Sequence, residues 1–85
     1  LSLILGVTMY TLFTRDVCVF CDRAKATLSQ AGLEYQEINI QKHKWALDLI
    51  KRSGFTTVPQ IYSPNGDHIG GFTELGKHLK EQQNE

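Results

Sequence analysis

Two cysteines, Cys18 and Cys21, are the whole thiol complement of this chain, and they stand three positions apart in Cys18-Val19-Phe20-Cys21. Thiols at that spacing, on the first turn of a helix, can form and break a disulfide with each other. Unpaired backbone N–H groups and the helix dipole favour a thiolate at Cys18, and Arg15 adds a positive charge nearby. Cys21, one turn further in, is shielded and suited to attack a mixed disulfide formed at Cys18. Thiol–disulfide exchange asks for this division between an ionised attacking thiol and a resolving thiol. The competing readings are two packed core cysteines or half of a zinc site. Zinc would need two more ligands, and His43, His68 and His78 lack the paired spacing that would supply them, so no metal is expected.

Two further constellations bear on chemistry. In Thr56-Thr57-Val58-Pro59-Gln60, a proline entering a strand belongs at the strand's start or edge. A cis Val58–Pro59 bond would turn the Val58 backbone groups outward, ready to pair with an extended peptide; an ordinary trans proline would only begin a strand. Gly70-Gly71 ahead of Phe72-Thr73-Glu74-Leu75 allows close backbone approach and offers helix-start N–H groups to a carboxylate. The same residues also suit a tight turn and a cap.

The elements that must position these groups follow from apolar periodicity. Val7 to Phe13 is rich in β-branched and aromatic residues and reads as a buried strand. From Val19 to Ala31, Phe20, Ala24, Leu28 and Ala31 recur at helical spacing, and Gly32 ends the helix. Tyr35 to Ile40 is a second strand with Ile38 and Ile40 on one face. Trp45, Ala46, Leu49 and Ile50 mark a second helix closed by Gly54, with Trp45 expected in the core. Val58 to Tyr62 and His68 to Gly70 flank Pro64-Asn65-Gly66-Asp67, a hairpin signal. His68 is expected on a strand face, with no acid–base role. A short last helix carries Leu75 and Leu79 inward with Thr73 as its N-cap, and 81–85 read as a frayed polar tail. The order is β-α-β-α-β-β-α. The first two strands, joined through a helix, should be parallel, and the hairpin adds an antiparallel edge. The cysteines then sit at the carboxyl end of the first strand, where open α/β sheets place their sites.

Composition narrows the function classes. Eighty-five residues, 41% of them hydrophobic, suffice for one domain, 1–85, with 1–6 expected to be disordered or appended. Nine basic and nine acidic residues balance, which argues against a nucleic-acid partner. No stretch approaches the ~20 apolar residues of a membrane span. Leu1 to Gly6 is too short, and lacks the basic flank, for a signal peptide. The expected compartment is the cytoplasm, where a cycling disulfide is more plausible than a permanent one.

Taken together, Tyr10-Thr11-Leu12-Phe13-Thr14-Arg15, Cys18-Val19-Phe20-Cys21, Thr57-Val58-Pro59-Gln60 and Ile69-Gly70-Gly71-Phe72 resemble the glutaredoxin family over nearly the whole chain. Lys51 through Gln60 is similar to bacterial members. Cys21-Asp22 and Pro64 through Phe72 are similar to the small phage-encoded ones. The resemblance implies an α/β thioredoxin-like fold with a four-stranded mixed sheet flanked by three helices. It also implies a dithiol–disulfide oxidoreductase with glutathione as reducing co-substrate and no bound cofactor. Cys18 would be the nucleophile and Cys21 the resolving thiol. Val58, before a cis Pro59, would pair its backbone with the cysteine moiety of glutathione, with Thr57 and Pro59 beside it in the glutathione site. Gly71, Phe72 and Thr73 would hold its γ-glutamyl carboxylate, Arg15 its glycyl carboxylate, and Phe20 would line the groove. A monomer serving disulfide-bearing proteins such as ribonucleotide reductase is the implied setting.

The sequence departs from the family at four places. Val19 and Phe20 stand where proline and tyrosine are common, removing a preset φ and a hydroxyl. Thr73 replaces a frequent aspartate. Phe55 stands where some relatives carry a basic residue, leaving Lys42, Lys51 or Arg52 to meet a carboxylate. Two rival readings are a glutaredoxin-like donor reduced by thioredoxin reductase and a non-catalytic or iron–sulfur-carrying module.

Overall fold

The computed structural model describes residues 9–83. The elements are β1 (Met9–Thr14), α1 (Val19–Gln30), β2 (Glu34–Asn39), α2 (Lys44–Arg52), β3 (Gln60–Tyr62), β4 (His68–Gly70) and α3 (Phe72–Gln83). The sheet runs β2-β1-β3-β4, with β1 and β2 parallel and the other pairs antiparallel. This is the expected mixed sheet with β1 inside it. Alternation along β1 feeds two cores. Tyr10 and Leu12 pack with Ala24, Leu28, Ile61 and Leu75 beneath α1 and α3, while Phe13 meets Ala46 and Ile50 of α2 on the other face. A fully buried leucine such as Leu12 contributes about 2–3 kcal/mol.

Both α1 and α2 end in the same glycine-based stop. After α2, Gly54 takes φ +84°, its N–H bonds the Lys51 carbonyl, and the Phe55 N–H bonds that of Ile50. Phe55 is thereby folded back against the Ile50 cluster. Gly32 repeats the pattern after α1, through Ser29 and Leu28.

Several expectations are corrected. The first strand is described from Met9; Val7, Thr8 and the 1–6 segment lie outside the described residues. The buried face of α1 is Cys21, Ala24 and Leu28; Phe20 is 53% exposed and Ala31 is exposed. Helical spacing from Phe20 passes through Ala24 and Leu28 as well, so periodicity alone could not choose between Phe20 and Cys21. Trp45 is not in the core: it is 56% exposed and touches only the rim, edge-on to Phe13 at 6.2 Å. β3 begins at Gln60, because Pro59 has no N–H for the ladder. α3 is a full 12 residues, so 81–83 are helical, and 84–85 lie outside the described residues. Its first helical residue is Phe72, which puts Gly71, and not Thr73, at the N-cap.

Candidate redox site

β1 delivers the chain to the site through a pinned loop. The Asn39 side-chain amide donates to Asp16 Oδ1 (2.9 Å), the Asp16 N–H to Gln41 Oε1 (2.7 Å), and the Gln41 N–H to Asn39 Oδ1 (2.8 Å). Val17 follows with φ +52° and 96% of its surface exposed. A β-branched residue in the left-handed region costs of order 1–3 kcal/mol and persists only where its surroundings impose it. Cys18 is the N-cap of α1, in extended conformation, and its Sγ accepts the Cys21 N–H at 3.1 Å. That bond is the one a thiolate at a helix start would use. Cys18 is half-buried, whereas Cys21 is only 1% exposed, and the two are joined as a disulfide. One thiol position is therefore partly open and the other shielded, as the spacing led one to expect of their burial.

Across from Cys18, the Val58–Pro59 peptide bond is cis, and the Val58 carbonyl oxygen lies 3.9 Å from Cys18 Sγ. Among the described residues the Val58 N–H has no hydrogen-bond partner. On one side of this contact, Arg15, Thr57 and Val58 line a cavity of about 560 Å³ with Lys51 and Phe55, over Ile40, Leu47 and Ile50. Lys51 is thus the lysine that joins Arg15 in this cavity. Lys42 borders a different one with Asp16, Glu37 and His43, and Arg52 borders neither.

On the other side, the Phe20 and Phe72 rings meet at 6.0 Å, and the Arg23 guanidinium lies 5.3 Å over Phe20. Gly70 has φ +127°, and a Cβ there would come within 2.9 Å of the Glu74 side chain. The closeness has a cause: Glu74 Oε1 accepts the Gly71 N–H at 2.9 Å, the return half of a capping box. A carboxylate from this chain therefore already occupies one helix-start donor. Thr73 is exposed and borders a groove with Thr27, Gln30 and Ala31 toward the far end of α1. The structure thus sets Val58 against Cys18, Phe20 against Phe72 and Gly71 close to the Pro59 carbonyl, with Arg15, Thr57 and Val58 lining one cavity and the Thr73 side chain bordering another groove.

Three groups emerge that sequence reasoning did not single out. Behind β1, the buried Thr14 hydroxyl donates to Glu37 Oε2 at 2.7 Å, and Lys25 Nζ meets both Glu37 oxygens at 3.2 Å. The Thr14 hydroxyl, acting against partial burial and helped by Lys25, holds the Glu37 carboxyl below the usual range. Burial pulls Lys25 down, but its bonds to Glu37 and the charge of Asp22 outweigh this and raise it. Gln60 and His68 form the second group, taken up below, and Glu74 is the third. Only Glu74 had a readable signal, as a glutamate three residues after Gly71 at a helix start. Among the described residues no three His, Cys, Asp or Glu side chains converge to hold a metal.

The glutaredoxin family profile matches residues 7–69. Glutaredoxin 3 of Escherichia coli K12 is 45% identical over 65 residues, covering 75% of this chain and 77% of that protein. The glutaredoxin of phage T4 is 35% identical over 74 residues, covering 74% and 85%. The crystal structure of glutaredoxin 1 from Francisella tularensis, complexed with cacodylate, superposes with a TM-score of 0.72 at 31% identity, covering 91% of this chain and 98% of that one. With its Cys18–Cys21 disulfide at the start of α1, the chain belongs to the glutaredoxin family and is a thiol–disulfide oxidoreductase.

Proposed function

We propose that the chain is a dithiol glutaredoxin that draws its electrons from glutathione. The Cys18 thiolate attacks a substrate disulfide, forming a mixed disulfide and releasing one substrate thiolate. Cys21 gives up its proton and attacks Cys18 Sγ, which expels the second thiolate and leaves the Cys18–Cys21 disulfide. Two glutathiones then reduce that disulfide and leave as oxidised glutathione. The observation that carries this reading is the half-exposed Cys18 Sγ facing the Val58 carbonyl at 3.9 Å, with Cys21 sealed behind it.

In this reading glutathione lies extended past Thr57, Val58 and Pro59. Arg15 and Lys51 receive its glycyl carboxylate, Phe20 flanks it, and the backbone N–H groups of Phe72 and Thr73 receive the γ-glutamyl end. Glu74 on the Gly71 N–H competes with that last contact. Disulfide-bearing enzymes of the ribonucleotide reductase type, a monomeric state and a cytoplasmic setting complete the proposal.

The test compares glutathione plus glutathione reductase with thioredoxin reductase as the source of electrons. Cys18→Ser is expected to abolish turnover. Cys21→Ser should keep deglutathionylation of a peptide and lose reduction of a protein disulfide. Turnover with thioredoxin reductase alone would overturn the glutathione assignment, and full activity of Cys18→Ser would overturn the mechanism.

A further inference from the structure

Gln60 is buried, yet both ends of its side-chain amide are engaged. Its Nε2 donates to the Thr57 carbonyl at 3.0 Å, and its Oε1 lies 2.6 Å from His68 Nε2. The two bonds fix each other. Turning the amide over would set two oxygens face to face at Thr57, so the Oε1 atom must point to His68, and His68 must present Nε2–H. The imidazole is itself held in place: it stacks on Phe55 at 4.5 Å and 16°, and the Tyr62 ring lies 5.1 Å away. Phe55 is set there by the Gly54 stop that ends α2. A chain of contacts thus runs from Phe55 through His68 and Gln60 to the Thr57 carbonyl. It ends one residue before Val58, whose backbone faces Cys18.

We propose that Gln60 and His68 are positioning residues that hold the Thr57–Val58 backbone in register for an incoming disulfide substrate. Without the His68 donor, the Gln60 amide can rotate and release Thr57. The segment then has to be ordered by the substrate instead of being offered to it. This rests on the proposed pairing of substrate with the Val58 backbone. Neither Gln60 nor His68 touches the cysteines, so the chemical step itself is not their work.

The test uses two variants of the full chain. His68→Phe keeps a ring to stack on Phe55 and loses the donor. His68→Gln restores an N–H near the position of Nε2 and loses the stack. Pre-reduced protein is mixed with a glutathionylated cysteine peptide, and the half-saturating concentration and limiting rate of single-turnover reduction are measured. Losing one hydrogen bond of about 1 kcal/mol predicts an approximately fivefold rise in half-saturation for His68→Phe. The limiting rate and the rate of Cys18 alkylation by iodoacetamide should be unchanged, with recovery in His68→Gln. The Thr57 carbonyl ¹³C shift, read in the same proteins, should move in His68→Phe and return in His68→Gln. An unmoved Thr57 signal overturns the proposal at the relay. A moved signal with unchanged half-saturation overturns it at the Val58 pairing. A fall in the alkylation rate also overturns it, since the effect would then lie in the thiol and not in substrate placement.

Discussion

Replacing Thr14 with valine keeps the shape of a fully buried side chain and removes one hydroxyl. That hydroxyl is the 2.7 Å donor to Glu37, which also receives Lys25. A hydrogen bond to a charged acceptor contributes about 1.5–3 kcal/mol. The Glu37 side chain keeps 35% of its surface exposed, so water can replace part of what is lost, and the expected cost is about 1–2 kcal/mol. For a domain of this size that is a fall in Tm of roughly 4–16 °C. The pH dependence carries the sharper signature. Glu37 has a folded-state pKa below its ordinary 4.5, so its contribution is present above that value and is lost as pH falls through the lower, folded-state pKa. In the variant the carboxyl returns toward its ordinary value. The stability gap between the two proteins should therefore hold steady through neutral pH and close as the solution is acidified below the ordinary carboxylate range. Lys25 has the opposite sign: its raised pKa contributes below 10.5 and is lost only as pH rises through a still higher folded-state value. Urea unfolding of the oxidised proteins at a series of pH values measures the gap. A gap below about 0.5 kcal/mol at neutral pH, or one that persists undiminished in acid, would refute the reasoning.

Four further substitutions test the architecture by urea unfolding. Ile50→Ala should cost about 2–4 kcal/mol whereas Trp45→Ala costs less than about 1, since only Ile50 lies inside the α2 core; equal costs would contradict that burial. Gly70→Ala should destabilise by about 1–3 kcal/mol, because φ +127° and the Glu74 side chain at 2.9 Å both oppose a Cβ; a neutral result would remove the Glu74 cap from the account. Val17→Asn, which tolerates the left-handed region better, should stabilise by about 0.5–1 kcal/mol, and a loss of stability would show that the valine is held by contacts and not merely strained.

The cysteine spacing, the strand–helix alternation and the hairpin at Asn65-Gly66 were legible because each is a local pattern. The family motifs added the cis Val58–Pro59 geometry, which local reasoning left open. What escaped reading was whatever depends on the choice between two faces. Phe20 shares the helical spacing of Ala24 and Leu28, and only the packing of the helix decides that it stays outside while Cys21, read as shielded, faces in. Trp45 is apolar and in helical register, yet Ala46 and Ile50 are the residues that α2 buries against Phe13, and Trp45 meets that ring only edge-on. Thr73 has the chemistry of a cap, but the helix begins two residues earlier, where Gly71 needs no side chain because Glu74 reaches back. Gln60 and His68 were invisible as a pair: eight positions and a hairpin separate them, and neither belongs to a motif that names the other.

The register between β1 and β3, which sets Phe13 opposite Gln60, has a consequence for how the protein acquires selectivity. Cys18 and Cys21 are close in any chain of this sequence, folded or not. Val58 is forty residues from Cys18, and closing so long a loop is slow compared with forming a helical turn. On the proposed pairing of substrate with the Val58 backbone, the chain is first an indiscriminate dithiol during synthesis or refolding, open to any disulfide it meets. On the same reading it becomes a discriminating one only when the central antiparallel pair has closed.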